Sequence, residues 1–386
     1  MKDFIEGSEA IARVVALCKP GVISAYPITP QTHIVEFLAE MVAEGKLKSQ
    51  FVNVESEHSA ASAVLGAVAT GQRVFTASSS QGLILMSEVL FNAAGMRMPV
   101  VLVCVNRALS APINIWNDHQ DSMALRDSGV IQLYGESNQE VADLILQAYR
   151  LAEDPHILLP VMVCLDGYIL SHGYEVVDIP EEDKVLGFLP DFNPPERLDP
   201  ADPKSFGPLA GPEYYMEIRH DLHQALKRAL ALIPEVATQF AHIFGRNSGG
   251  LVEPYQLEGA EMAIVAAGSV CGTIKETIDT LRAKGKKVGL LRIITYRPFP
   301  EEEIIQNLLK VPMVAVLDRS ISLGATGPIY CDIRAVFQGQ KPSPKISGFI
   351  AGLGGRDITP DTIMEIFERL PGSQVSDQFI GLKDGD

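Results

Sequence analysis

Short runs of apolar residues, each broken off by a cluster of polar, glycine or proline residues, constrain this chain more than any other feature. In its first half the runs lie at 22–26, 51–54, 73–77, 100–106, 130–133 and 157–165. They are apolar throughout, not in alternation, as the strands of a parallel sheet buried on both faces must be. Amphipathic stretches fall between them, at 7–18, 33–44, 57–70, 82–94 and 139–153. Strand and helix taking turns in this way predict an α/β fold built on a doubly wound parallel sheet. The alternation returns after residue 260, with strands expected at 262–267, 287–292, 313–318 and 345–350.

Between these two regions the texture changes. Prolines cluster in PDFNPPERLDPADP, and one long helical stretch, 213–244, carries Pro234, which is expected to kink it. The expected organisation is therefore a first domain over 1–180, a connecting segment with a long helix over 181–258, and a smaller α/β domain over 259–386. A chain of 386 residues is long enough for such cores.

The formal net charge of -16 repels nucleic acid and anionic lipid, so neither is expected as a partner. No stretch approaches the length of a membrane span, and the first residues are interrupted by charges and glycines where a secretory signal needs an apolar run. A cytoplasmic location is expected. The five cysteines are far apart and no Cys-x-x-Cys occurs. Free thiols are expected, with no iron–sulfur cluster or structural zinc in this chain.

Ligands of open parallel sheets sit at the carboxyl ends of the strands. Directly after the first three expected strands come Pro27-Ile28-Thr29-Pro30, then Glu55-Ser56-Glu57-His58, then Ser78-Ser79-Ser80-Gln81-Gly82. Arg107 comes after the fourth strand, before a loop holding Asn117, Asp118, His119 and Asp121. Glu57 opens a helix of small residues that could pack against a flat ring; the other account is a first-turn acid that favours the helix dipole. Arg107 could offer paired donors to a carboxylate, or form an ion pair with Asp118 or Asp121. Thr29 lies between two prolines, either as a substrate-facing hydroxyl or as a turn residue. Asn117 and Asp118 could be helix caps, and His119 a proton shuttle or a hydrogen-bonded loop residue. Ser80, Gln81 and Gly82 could contact a cofactor or simply form a polar turn. Gly324–Gly327, before a helix, could hold an anion or be a tight turn.

The segments YPITP, VESEHSA, TASSSQGL, NRALSAP and NDHQD, in this order, resemble the α subunit of the multi-subunit pyruvate:ferredoxin oxidoreductases. The resemblance extends into the last region through RPFP and AGLGG. It implies a thiamine-type fold: a pyrimidine-binding domain followed by a transketolase C-terminal-like domain. It implies thiamine diphosphate as cofactor, with Glu57 as the activating carboxylate. Pro27, Ile28, Ser80, Gln81 and Gly82 would contact that cofactor, and Thr29 and Arg107 the 2-oxoacid. Thiamine enzymes hold the diphosphate and its metal with Gly-Asp-Gly and a later asparagine. Asp166-Gly167 with Asn193 imitates this, but Leu165 stands where the first glycine should be, so no metal site is expected here.

In this family the diphosphate and Mg2+ belong to a β subunit. Iron–sulfur clusters lie in γ and δ or fused ferredoxin-like subunits, with CoA as co-substrate and ferredoxin as electron acceptor. The implied activity is oxidative decarboxylation of pyruvate to acetyl-CoA, with pyruvate preferred over 2-oxoisovalerate. The alternatives are a branched-chain 2-oxoacid oxidoreductase subunit and a non-catalytic α/β scaffold. A nicotinamide dehydrogenase is disfavoured, since no Gly-x-Gly-x-x-Gly comes after the first strand.

Overall fold

The structure is a computed structural model that describes residues 2–372 and 374–383. Its larger sheet has seven strands, in the order Thr295–Arg297, Ile131–Tyr134, Val161–Asp166, Val101–Asn106, Val74–Ser78, Val22–Ser24 and Gln50–Val52. Neighbours run parallel except at the edge, where Thr295–Arg297 lies antiparallel to Ile131–Tyr134. The smaller sheet runs Gln378–Phe379, Lys345–Ile350, Met313–Asp318, Met262–Ala267, Val288–Ile293 and Val252–Tyr255, with only the last strand antiparallel. All ten strands expected from sequence are present.

The edge strands Val252–Tyr255 and Gln378–Phe379 were not expected, and three further differences concern the first sheet and its surroundings. The helix expected at 82–94 is two helices, Ser80–Leu85 and Ser87–Gly95. Between them the Met86 N–H meets the carbonyls of both Gly82 and Leu83 at 3.1 Å, the tightened turn that ends one helix and starts another. A two-stranded antiparallel ribbon, Lys2–Glu6 with Tyr174–Asp178, joins the chain's start to the far end of the first region. Its strands are half exposed and charged, so no apolar run marks them. The strand Thr295–Arg297, inside the last region of the sequence, completes the first sheet.

Side chains on a buried strand point alternately to its two faces. Val101, Val103 and Val105, with Val161, Val163 and Leu165, face a core covered by the helices Gly7–Leu17, Thr32–Ala43 and Asn138–Ala152. The long helix Pro212–Phe244 adds Leu222, Ala225, Ala229, Ile233, Val236 and Phe240 to this core. Their spacing of three and four residues is one apolar stripe, which holds the connecting segment on the first sheet. On the opposite face, Leu102, Cys104, Met162 and Cys164 share one cluster with Val265, Leu291, Ile293, Val314 and Val316 of the smaller sheet. The two sheets therefore have an apolar layer in common.

A buried carboxylate ties the sheets together by polar contacts. Asp166, the last residue of its strand, accepts from His119 Nε2 at 2.8 Å, from the Ser269 N–H at 2.9 Å and from Arg319 Nη1 at 2.8 Å. Ser269 and Arg319 lie just beyond strands of the smaller sheet. Burial opposes the charge, yet the Arg319 guanidinium and His119 hold the Asp166 carboxyl far below the usual carboxylate range. Arg319→Met would leave this anion buried without its main counter-charge, at a cost of about 3–5 kcal/mol in chemical denaturation at neutral pH. Because the folded carboxyl titrates below the unfolded one, the contribution of Asp166 is complete above about pH 4 and is lost only as the pH falls further. Urea titrations of wild type and Asp166→Asn should accordingly differ by a constant amount from pH 8 to about 4 and converge below.

Candidate active site

The first sheet reverses its winding beside Val22–Ser24, because the chain continues to Gln50–Val52 on one side and Val74–Ser78 on the other. Such a switch point opens a crevice at the carboxyl ends of the strands. The loop holding Pro27, Ile28 and Thr29 forms one wall. Gln31, fully buried, anchors that loop by donating from Nε2 to the Ala77 carbonyl at 3.0 Å. Gly167 closes the approach from the side: a Cβ there would stand 2.7 Å from Pro30 Cγ and 2.5 Å from the Asn106 carbonyl oxygen. Only glycine lets these three segments meet.

Glu57 is the first residue of the helix Glu57–Ala69, whose start is capped by Ser56 Oγ accepting from the Ser59 N–H at 3.2 Å. Its side chain is only 7% exposed, unlike that of the exposed Glu55, and no hydrogen bond reaches its carboxylate among the described residues. The carboxylate lies on Gly82. A methyl group at Gly82 would fall 2.3 Å from Glu57 Oε1 and 2.7 Å from Ser78 Oγ. Ser78 Oγ, Ser79 Oγ and Gln81 Nε2 are buried and have no partner among the described residues. Buried polar atoms are nearly always hydrogen-bonded, so this group calls for a polar ligand. A carboxylate beside unpaired hydroxyls and an amide suits the polar edge of an aminopyrimidine, and the residues present fit thiamine's ring.

Arg107 caps the strand Val101–Asn106. Its Nη1 donates to the Thr29 carbonyl at 2.9 Å and its Nε to the Asn114 carbonyl at 3.0 Å. No carboxylate pairs with it among the described residues, so the alternative ion pairs with Asp118 or Asp121 do not form. Thr29, itself exposed, is thus brought beside Arg107, and both lie on the switch-point rim.

Asp121 has a different task, one sequence reasoning missed. It is fully buried and accepts from the N–H groups of Ser80 at 2.9 Å, Arg107 at 3.0 Å and Ser122 at 2.8 Å, and from Asn106 Nδ2 at 2.7 Å. Burial pushes its carboxyl up to about 6 against the pull of these donors. The carboxylate clamps the Ser80–Gly82 turn to the root of Arg107. Ser80 takes a left-handed backbone with φ of 50°, which a serine adopts at a cost of about 1–3 kcal/mol. The signal was present as an acid in NDHQD, but nothing local shows which donors it would meet.

Asn117, Asp118 and His119 lie where the two sheets meet, and their partners differ. Asp118 accepts from the Gly354 N–H at 3.0 Å and from the Gln120 N–H at 3.0 Å. His119 is spent on Asp166, and the Asn117 side-chain amide is buried without a partner among the described residues. Asp166, held by Arg319, His119 and Ser269, has no oxygen to spare for a metal, and Asn193 is exposed elsewhere. At Gly324–Gly327 the helix start is already taken: Asp318 accepts from the Ile329 and Tyr330 N–H groups at 2.9 and 3.0 Å. Ile113 and Trp116 stand exposed on the loop after Arg107, at 81% and 54%.

Residues 13–238 match the family model described as pyruvate flavodoxin/ferredoxin oxidoreductase, thiamine diP-binding, and residues 260–363 match that of pyruvate:ferredoxin oxidoreductase core domain II. The chain is 51% identical to pyruvate synthase subunit PorA of Methanothermobacter thermautotrophicus, with 98% of each chain covered. It is 41% identical to ketoisovalerate oxidoreductase subunit VorA of Pyrococcus abyssi, covering 95% of this chain and 93% of the other. In fold it resembles a 2-oxoglutarate:ferredoxin oxidoreductase from Magnetococcus marinus solved with 2-oxoglutarate, coenzyme A and succinyl-CoA bound. That likeness has a TM-score of 0.71 at 20% identity, covering 95% of this chain and 65% of that one.

The clamp can be tested without any ligand. Asp121→Asn keeps the shape but turns an amide NH2 toward two of the four donors. With roughly 1–3 kcal/mol for each donor left unsatisfied, a loss of about 2–6 kcal/mol is expected in equilibrium unfolding. A change below about 0.5 kcal/mol, the ordinary scatter of a harmless substitution, would show that the clamp is dispensable.

Proposed function

The chain belongs to the pyruvate flavodoxin/ferredoxin oxidoreductase family, and from that premise we propose that it is the α subunit of a pyruvate synthase. With partner chains it carries out the oxidative decarboxylation of pyruvate with CoA, giving acetyl-CoA, carbon dioxide and reduced ferredoxin. The observation that carries the site assignment is the buried carboxylate of Glu57 lying on the bare face of Gly82, beside the unpaired hydroxyl of Ser78. Pyruvate is favoured over a branched 2-oxoacid because the pyruvate synthase relative is 51% identical and the ketoisovalerate relative 41%.

When bound, thiamine diphosphate supplies the nucleophilic carbon that adds to the 2-oxoacid carbonyl and holds the electron pair left by carbon dioxide. Glu57 exchanges a proton with the ring nitrogen opposite the cofactor's amino group. Water is kept from that proton by the burial of Glu57 between its own helix and Gly82. Pro27 and Ile28 contribute the opposite wall, and Ser80, Gln81 and Gly82 the polar edge. Arg107, its plane set by two backbone carbonyls, keeps Nη2 for the substrate carboxylate, with the Thr29 hydroxyl beside it.

The chain has neither a Gly-Asp-Gly motif nor paired cysteines. On this reading a β subunit holds the diphosphate and Mg2+, and γ and δ or fused ferredoxin-like subunits carry the clusters to ferredoxin. Ile113 and Trp116 suit the contact with the β subunit, since exposed aromatic and aliphatic anchors bury well at interfaces.

Glu57→Gln removes the exchangeable proton at that ring nitrogen while keeping volume. Hydrogen exchange at the thiazolium C2 of the assembled complex should fall by at least two powers of ten, of the order of a general acid–base contribution. Wild-type exchange in the variant would remove Glu57 from this role.

Arg107→Met tests the substrate side. Loss of a charge-assisted bond to a carboxylate costs about 1.5–3 kcal/mol, or roughly ten- to a hundredfold in kcat/KM for pyruvate. Thiamine diphosphate affinity should stay unchanged. A variant that instead lost the cofactor and kept its pyruvate KM would reverse the assignment.

A further inference from the structure

We propose that Glu6, His33 and His172 form a binding site for one divalent transition-metal ion of the zinc class, apart from the thiamine site. One ligand atom from each side chain lies within 4.8 Å of the other two. Zinc takes carboxylate and imidazole ligands at about 2.0–2.2 Å, which sets them roughly 3.3–3.6 Å apart in a tetrahedron. Admitting the ion needs the 2.6 Å Glu6–His33 contact to open and the wider separations to close, each by about an ångström, which the partly exposed His33 ring can make by rotation.

The scaffold behind the three residues is firm. Glu6 ends the ribbon strand Lys2–Glu6, and His172 precedes its partner Tyr174–Asp178. The two are joined by the Gly7 N–H donating to the Gly173 carbonyl at 3.1 Å and the Ser8 N–H to the Ser171 carbonyl at 2.9 Å. His33 is the second residue of the helix Thr32–Ala43, and its Nδ1 lies 2.6 Å from Glu6 Oε1. His172 is oriented from behind. Its Nδ1 contacts Ser171 Oγ at 2.8 Å, and that oxygen also accepts from the Tyr168 N–H at 2.9 Å. Nε2 of His172 is thereby left as the ligand. An outer hydrogen bond on the far ring nitrogen is the usual support of a metal-binding histidine.

The two imidazoles lie 4.6 Å apart, centroid to centroid, with no hydrogen bond between them. A simple Glu6–His33 pair does not account for the second ring. Two imidazoles and one carboxylate select zinc, cobalt or nickel over magnesium and calcium, which prefer oxygen. Three protein ligands leave one position for water. The ion would cross-link the chain's first strand, the helix after the Pro27–Thr29 loop, and the turn after Asp166.

The test uses the full chain in a Cys331→Ser background, which removes its exposed thiol from competition. The metal-free protein is titrated with Co2+ in excess Mg2+ and followed by visible absorption. One equivalent should bind with the spectrum of a nitrogen–oxygen site, be displaced by Zn2+, and raise Tm. His33→Ala and His172→Ala should each weaken Co2+ at least tenfold and abolish the Tm rise, while His220→Ala, on the long helix, should not. Metal-free Tm values of the variants within a few degrees of wild type would show that the fold is intact; a variant that unfolds is replaced by His33→Gln or His172→Gln. Co2+ binding unaffected by both substitutions, absence of a stoichiometric spectrum, or equal competition by Mg2+ would overturn the proposal.

Discussion

Four N–H groups converge on the carboxylate of Asp121, and the rim of the switch-point crevice depends on that convergence. Parallel strands that end inside a protein leave donors with no ladder partner and no water. Here the donors come from Ser80, Arg107 and the Asn106 amide, at the ends of two adjacent strands, and from Ser122 in the helix Gln120–Ala124. One buried acid satisfies all of them. The same contacts hold Ser80 in its left-handed backbone and so aim Gly82 at Glu57. They also root Arg107, whose guanidinium then reaches the Thr29 carbonyl. The activating carboxylate and the substrate arginine of the proposed function are thus placed by a residue that belongs to neither role.

A second buried acid does for the two sheets what Asp121 does for the rim. Asp166 gathers His119, Ser269 and Arg319, and it does so above an apolar layer that both sheets share. Gly352, Gly354 and Gly355, all with positive φ, complete the contact. A Cβ on Gly355 would stand 2.3 Å from Trp116 Cβ, and Gly354 exchanges hydrogen bonds with Asn114 and Asp118. The glycine turn of AGLGG therefore serves docking of the two units. Since Asn114 also accepts from Arg107 Nε, the smaller sheet is linked to the Arg107 side of the rim by two hydrogen bonds in series.

The parts of the fold that were legible in sequence are those where burial leaves a periodic trace. Strands such as Val101–Asn106 and Met262–Ala267 are covered on both faces and read as unbroken apolar runs. The ribbon of Lys2–Glu6 with Tyr174–Asp178 leaves no such trace, because one side of each strand meets solvent. Thr295–Arg297 is too short to show a period, and its partner is more than 150 positions away in the chain. At the rim, the placing of Glu57 and Arg107 could be read from sequence because each comes after an apolar strand. Asp121, Gly167 and Gln31 were not, since their roles lie wholly in what they meet across the sheet.

The sequence by itself determined the α/β class, the positions of the buried strands and the edge of the sheet where polar residues collect. It could do so because hydrophobic periodicity and strand-end chemistry are local, set by residues a few places apart. Only the tertiary structure decided which of those polar residues face the crevice and which are spent elsewhere. Asn117, Asp118 and His119 lie next to Asp121 in the chain, yet Asp118 meets Gly354 beyond the smaller sheet, His119 meets Asp166, and Asp121 holds the rim together. Glu55 and Glu57 are two places apart, yet one is exposed and the other is buried on Gly82. A side chain's chemistry depends on its burial and on the donors that reach it. Those are long-range quantities, fixed only when strands distant in the chain lie side by side.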